Sequence, residues 1–156
     1  MERTQIAVFC FGAIQQRHLV LAETYLAEDF LFDGPTAKPI GRQEWLDQQR
    51  SLLQAFPDLD FNLHDIHEHD GVVSARMRLS GRHAGVLLLP GMPPVPPTGR
   101  SVVLPPEEIM VGFKGDKIVH LEVKQVPNGG LTGILEQVGA FDRHASQSGA
   151  SRSMWT

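Results

Sequence analysis

Cysteine is nearly missing from this chain, with Cys10 alone among 156 residues. One thiol excludes an internal disulfide, and its place within the apolar run 6–14 reads as a buried, unreactive side chain. Positive charge is short as well: 14 Lys and Arg stand against 18 Asp and Glu, giving a formal charge of -4 and a pI near 5.9. That balance excludes the basic stripe of a nucleic-acid binder. No apolar run approaches the roughly 20 residues that span a bilayer. The N-terminal run follows Glu2 and Arg3 and lacks a small-x-small cleavage site, which argues against a secretory leader and for a cytoplasmic protein. Gly-x-Gly-x-x-Gly, a phosphate loop, Gly-x-Ser-x-Gly and His-Glu-x-x-His are all missing, so nucleotide binding, serine hydrolysis and zinc proteolysis have no support.

What is present suits one globular domain over residues 1–140, with 42% hydrophobic residues to build a core. Helices are expected at 4–16, capped by Thr4 and buried all round, and at 18–28 with Leu19, Ala22 and Leu26 at helical spacing. Phe30-Leu31-Phe32 reads as a short strand ended by Asp33-Gly34-Pro35. The clearest helix follows Gly41, with Trp45, Leu46, Gln49, Leu52, Leu53 and Phe56 on one stripe and Pro57 as its stop.

From Asp58 onward the period changes to two. Strands are expected around Leu59 to Leu63, at 72–80, at 83–89, at 102–104 and at 108–113, with a proline-rich connection at 90–99 that cannot pair centrally. Residues 117–126 form the last strand, entered through Lys114-Gly115-Asp116-Lys117 and left through Pro127-Asn128-Gly129-Gly130. A short helix at 131–138 offers Leu131, Ile134, Leu135 and Val138 to the core. Residues 141–156, rich in Ser, Gly and Ala, read as a flexible tail. Helices first and meandering strands after make an α+β domain with helices on one face of an antiparallel sheet.

Strict alternation in the last strand puts Ile118, His120, Glu122, Lys124 and Val126 on one face, and Val119, Leu121, Val123 and Gln125 on the other. The polar row either points to water or lines a concave pocket. Arg76 and Arg78 pose the same choice: surface charges, or holders of an anionic or enolate-like group. His64, His67 and His69 with neighbouring carboxylates have metal-ligand chemistry, but Asp70-Gly71 marks a hairpin tip there, and a solvated tip is the preferred reading, with no metal.

Five segments in order carry a family resemblance: Phe56-Pro57-Asp58-Leu59, Gly81-Arg82-His83-Ala84-Gly85, Pro97-Thr98-Gly99-Arg100, Phe113-Lys114-Gly115-Asp116-Lys117-Ile118 and Leu135-Glu136-Gln137-Val138-Gly139. Over nearly the whole chain up to Gly139 it resembles the SnoaL-like polyketide cyclases of the nuclear-transport-factor-2-like superfamily. The resemblance implies a cone-shaped, curved antiparallel sheet (an α+β barrel) wrapped on the N-terminal helices around one apolar pocket. It also implies a homodimer paired through the outer face of the sheet, and no metal or organic cofactor. It implies that residues of Ile118 parity enter the cone, so that Glu122 and Lys124 sit inside it or at its mouth while Val119, Leu121 and Val123 meet the partner.

The chain departs from the pattern in places. Glu122 stands where the family has Trp, Val126 where it has the acid/base Asp, and Gly81-Arg82-His83 replaces Gly-Thr-His. Asp-Gly is reversed as Gly115-Asp116, and the proline-rich loop is longer. Only His83 carries over at a matching position. The leading expectation is a cofactor-free cyclase or isomerase acting on a hydrophobic, carbonyl-bearing small molecule such as a polyketide or terpenoid. Glu122 would be the acid or base, tuned by Lys124 or His120, with His83 polarising the substrate oxygen and Asp33 as a further pocket group. Trp45, Phe30, Phe32, Phe56 and Met110 would form apolar wall, with Arg76 beside the substrate. A non-catalytic small-molecule-binding protein using the same pocket, and a dimerisation module with a filled interior, are the alternatives.

Overall fold

The computed structural model describes residues 1–34 and 38–140, and the expected tail at 141–156 lies outside the described residues. Helix α1 spans Arg3–Gln15 and opens at Glu2 rather than Thr4, with the Glu2 backbone N–H donating to Gln5 Oε1 at 3.0 Å. It is not buried all round: Ile6, Cys10, Phe11 and Ile14 enter the core, whereas Val8 and Phe9 stay 39% and 47% exposed. Helix α2 is short, Leu19–Thr24, because the chain turns extended at Leu26 and pairs there with the last strand. Strand β1 therefore runs Leu26–Asp33, well beyond the Phe-Leu-Phe core that marks it in the sequence.

A two-residue strand β2, Ile40–Gly41, leads into α3, Arg42–Ala55, whose apolar stripe packs on the sheet as its spacing requires. Strands β3 (His64–His69) and β4 (Val72–Met77) form a hairpin turned at Asp70 and Gly71, both at positive φ. Then come β5 (Ser80–Arg82), β6 (Ser101–Val103), β7 (Glu107–Lys114), β8 (Lys117–Val123) and α4 (Gly130–Gln137). The strands expected at 59–63 and 83–89 are reduced to isolated bridges, Asp60 with Ser80 and Leu87 with Val95. Leu59, Phe61 and Leu87 are still buried.

The main sheet has the order β2-β1-β8-β7-β4-β3, and β5 pairs with β6 in a separate ribbon. Pairing is antiparallel except between β1 and β8, which run parallel. One irregularity decides which side chains enter the core. Gly112 faces His120 while the next residue, Phe113, faces Ile118, so Val119 is an extra residue in β8. Such a bulge bends the strand and resets the two-residue period. Ile118 is buried before it and Leu121 and Val123 are buried after it, while Glu122 is exposed.

Residues 83–100 form a closed loop beside α3. The Ala84 and Gly85 N–H groups donate to the carbonyl of Ala55, at 2.9 and 3.1 Å, near the end of α3. A Cβ on Gly85 would run into the carbonyl oxygen of Gln54. Gly85→Ala is therefore expected to cost about 1–3 kcal/mol, the usual penalty of overpacking, read as a lowered midpoint in urea. A wild-type midpoint would contradict this close backbone approach. Among the described residues, no helix is long and apolar enough to cross a membrane.

Candidate active site

Between the inner face of the sheet and helices α1, α3 and α4 lies a cavity of about 80 Å³. Trp45 of α3 stands in its wall, held by Phe30 at 5.3 Å, Phe32 at 6.0 Å and Phe11 at 6.4 Å between ring centroids. Phe11, Phe32 and Phe61 line the cavity from one side, Met77, Ile109, Leu121 and Val123 from the sheet, and Leu131 and Ile134 from α4. In this apolar surround two buried polar side chains meet the space: Gln49, 4% exposed, and Glu107, 3% exposed.

The position of Glu107 follows from local sequence. Pro105-Pro106 delivers the chain to β7, and alternation then places Glu107, Ile109 and Val111 inward and Glu108 and Met110 outward. Its carboxyl sits beside the start of α4. A Cβ on Gly129 would stand 3.1 Å from Glu107 Oε2 and 2.9 Å from Val126 Cγ2, so only glycine leaves room for both groups. Among the described residues no hydrogen bond reaches this carboxyl, and burial pushes its pKa up from the ordinary carboxylate value. Gln49 is held by the α3 stripe, and its amide oxygen is buried without a hydrogen-bond partner. A carboxyl without a hydrogen-bond partner and an unpaired amide oxygen in one apolar surround are costly to folding unless something else uses them.

The residues expected at the site divide sharply. Trp45 and Phe32 line the cavity. Phe30 packs behind Trp45 and lies outside the lining. Glu122 and Lys124 do not enter the cone, because the Val119 bulge turns them outward; both are exposed, and the Lys124 ammonium lies 3.7 Å from Glu108. His120 is half-buried on the same outer side, opposite Gly112. Leu121 and Val123, expected to meet a partner subunit, line the cavity instead. Met110 is 46% exposed, Arg76 is exposed with Asp65 at 3.9 Å, and Asp33 is exposed at the end of β1. In the histidine-rich hairpin, His67 Nε2 pairs with Ser74 Oγ at 2.9 Å, and no group of three or more metal-ligand side chains is gathered among the described residues.

His83 is fully buried but away from the cavity, its ring 5.4 Å from that of Phe56. Phe56 is thereby occupied with His83 rather than with the cavity wall. The Thr98 N–H donates to His83 Nδ1 at 3.3 Å, and Thr98 Oγ1 lies 3.0 Å from the same nitrogen. The imidazole thus clasps the proline-rich loop through Nδ1, outside the lining of the cavity, and its Nε2 is buried without a hydrogen-bond partner among the described residues. Burial lowers its pKa, partly opposed by the carbonyls of Gly85 and Val95. The unfolded chain then takes up this proton first, so the stability His83 gives is full above about pH 6.5. It is lost as the pH falls from there through the depressed folded value. His83→Gln is expected to flatten that acid-side fall in thermal midpoint; an unchanged pH slope would remove His83 as its source.

Glu107 was open to sequence reasoning through its parity with Ile109 and Val111, yet a carboxylate after two prolines looks like a solvated strand entrance. The sequence profile of the SnoaL-like polyketide cyclase family matches residues 5–128. No curated protein sequence matches the chain. Among solved structures, AclR from Streptomyces galilaeus, a proposed hydroxylase, is similar with 19% identity and a TM-score of 0.71, covering 89% of this chain and 96% of its own. A proposed SnoaL-like polyketide cyclase from Jannaschia sp. CCS1 shares 16% identity at a TM-score of 0.71, over 88% of this chain and 92% of its own. IdmH from Streptomyces antibioticus, a proposed polyketide cyclase, shares 21% identity at a TM-score of 0.66, over 80% and 91%. These likenesses establish the shared fold, and the profile, which spans most of the sequence, shows that the chain belongs to the SnoaL-like polyketide cyclase family.

Proposed function

We propose that the protein is a cofactor-independent acid/base enzyme acting on a carbonyl-bearing small molecule, with Glu107 as the proton-transferring group. The observation that carries this reading is the carboxyl of Glu107, buried at the wall of an apolar cavity without a hydrogen-bond partner among the described residues. Ionised, it would take a proton from the carbon next to a carbonyl. The C–H electron pair moves into the enolate, and the Gln49 amide on the same cavity donates to the enolate oxygen. Protonated Glu107 then returns the proton, either to the γ-carbon of the dienolate when the substrate is a β,γ-unsaturated ketone (isomerisation) or to the alkoxide formed when the enolate carbon attacks a second carbonyl (cyclisation).

Glu107 also lies where the family pattern makes such a role intelligible. Val126, at the position of the cyclases' acid/base Asp, and Glu107 both approach within 3.1 Å of the same point above Gly129. The carboxyl lost from one segment is thus matched by one arriving from the neighbouring strand. Deuterium uptake at the α-carbons of small ketones and 1,3-diketones in D2O tests the reading without knowledge of the natural substrate. Catalysed uptake above the buffer rate supports it. Ketone binding without any uptake would favour the second reading, a non-catalytic binding protein, for which the loss of the Asp at Val126 speaks.

A further inference from the structure

The cavity shares part of its wall with the protein surface. Gln48 of α3 and Leu131 of α4, both half-buried, line it on one side and line a surface groove of about 480 Å³ on the other. The groove is bounded by Ile40 and Ser51, by Leu89 and Pro90 from the loop of residues 83–100, and on its outer rim by the charged side chains of Lys38, Glu44 and Asp47. Sites that enclose metabolite-sized ligands measure about 300–1,000 Å³. The inner cavity falls far below that range and admits little more than a carbonyl group with its nearest carbons. The groove falls within it.

The loop that carries Leu89 and Pro90 is tied at its base. Leu87, fully buried, exchanges backbone hydrogen bonds with Val95 at 2.9 and 3.0 Å. The loop ends are tied by the His83 N–H to the Arg100 carbonyl at 2.9 Å and the Gly99 N–H to the His83 carbonyl at 2.8 Å. A wall held this way loses little freedom when a ligand settles against it.

We propose that this groove is the outer half of the substrate site, and that the substrate is an elongated ketone. Its carbonyl end passes between Gln48 and Leu131 into the cavity, and its apolar body lies along Ile40, Leu89 and Pro90. The inference rests on the acid/base reading for what happens at the carbonyl, but the groove is tested by equilibrium binding alone. Methyl ketones from butanone to dodecanone are titrated against the wild-type protein and against Glu107→Gln. Affinity is expected to rise by up to about fourfold per methylene, the worth of one buried CH2, until the groove is filled.

Ser51→Trp fills the groove and is expected to flatten that rise. Leu89→Asn, which removes apolar wall from a different element, is expected to weaken it too and replaces Ser51→Trp should that variant not fold. Affinity independent of chain length, a rise in both variants as steep as in the wild type, or no ketone binding up to the solubility limit would each overturn the groove assignment. Deuterium uptake without chain-length dependence would overturn the groove and leave the role of Glu107 intact. Chain-length dependence without uptake would do the reverse.

Discussion

Replacing Glu107 by Gln is expected to cut α-proton exchange by about 10²–10⁴-fold, the usual contribution of a positioned acid or base, while the fold survives. Glutamine keeps the shape and still accepts hydrogen bonds, but it cannot carry the proton. The same variant makes a second, thermodynamic statement. Burial raises the folded pKa of Glu107 above the ordinary value, so the native state holds its proton to higher pH than the unfolded chain does. The cost of burying the carboxylate is therefore absent below about pH 4.5. It grows as the pH rises through the folded value. Glu107→Gln should match the wild type in acid and gain on it in thermal midpoint toward neutral pH. Lost exchange together with gained stability separates a functional carboxyl from one that supports the fold. Unchanged exchange would remove Glu107 from the mechanism.

The second large effect is expected at Val123. It lines the cavity at 9% exposure, and Val123→Asp would put a charge there without a partner. An uncompensated buried charge costs about 3–5 kcal/mol, a large share of the roughly 5–15 kcal/mol that holds a domain together. Glu122→Ala, one residue earlier, should stay within about 0.5 kcal/mol, as exposed substitutions do. Urea unfolding of the two variants reads the orientation of β8 directly. Equal losses, or the greater loss at Glu122, would mean that the Val119 bulge does not set the inward face.

That bulge explains much of what could and could not be read from the chain. The period of 3.6 in α3, the stop at Pro57, the hairpin turn at Asp70-Gly71 and the entry at Lys114 to Lys117 are local signals, and the structure follows them. Trp45 and Phe32 were legible as cavity wall because they are large apolar residues on well-marked faces. The side from which β8 presents its residues was not legible. A single extra residue is invisible to a two-residue period, and only the pairing of Gly112 with His120 and of Phe113 with Ile118 exposes it. The error moved Glu122 in and Val123 out, and with them the expected acid/base group, while Trp45 and Phe32 stayed in the cavity wall.

Other differences have the same origin in tertiary pairing. Leu26 and Ala27 read equally well as the end of a helix, until the parallel neighbour β8 claims them for β1. His83 matched a family position, but its fully buried ring is used to hold Thr98. Glu107 carried a usable signal in its shared parity with Ile109 and Val111. Its environment depended on Gly129 and α4 closing over it, which no local pattern announces.

The central claim is that one carboxyl belongs to the interior and titrates there. Its most direct test is a pH titration of the glutamate side-chain carboxyl carbons by ¹³C NMR, with the Glu107 resonance assigned as the one lost in Glu107→Gln. The account predicts that this carbon titrates above the exposed glutamates and shifts when a small ketone binds. A Glu107 carbon that titrates with the exposed glutamates and ignores the ketone would contradict it.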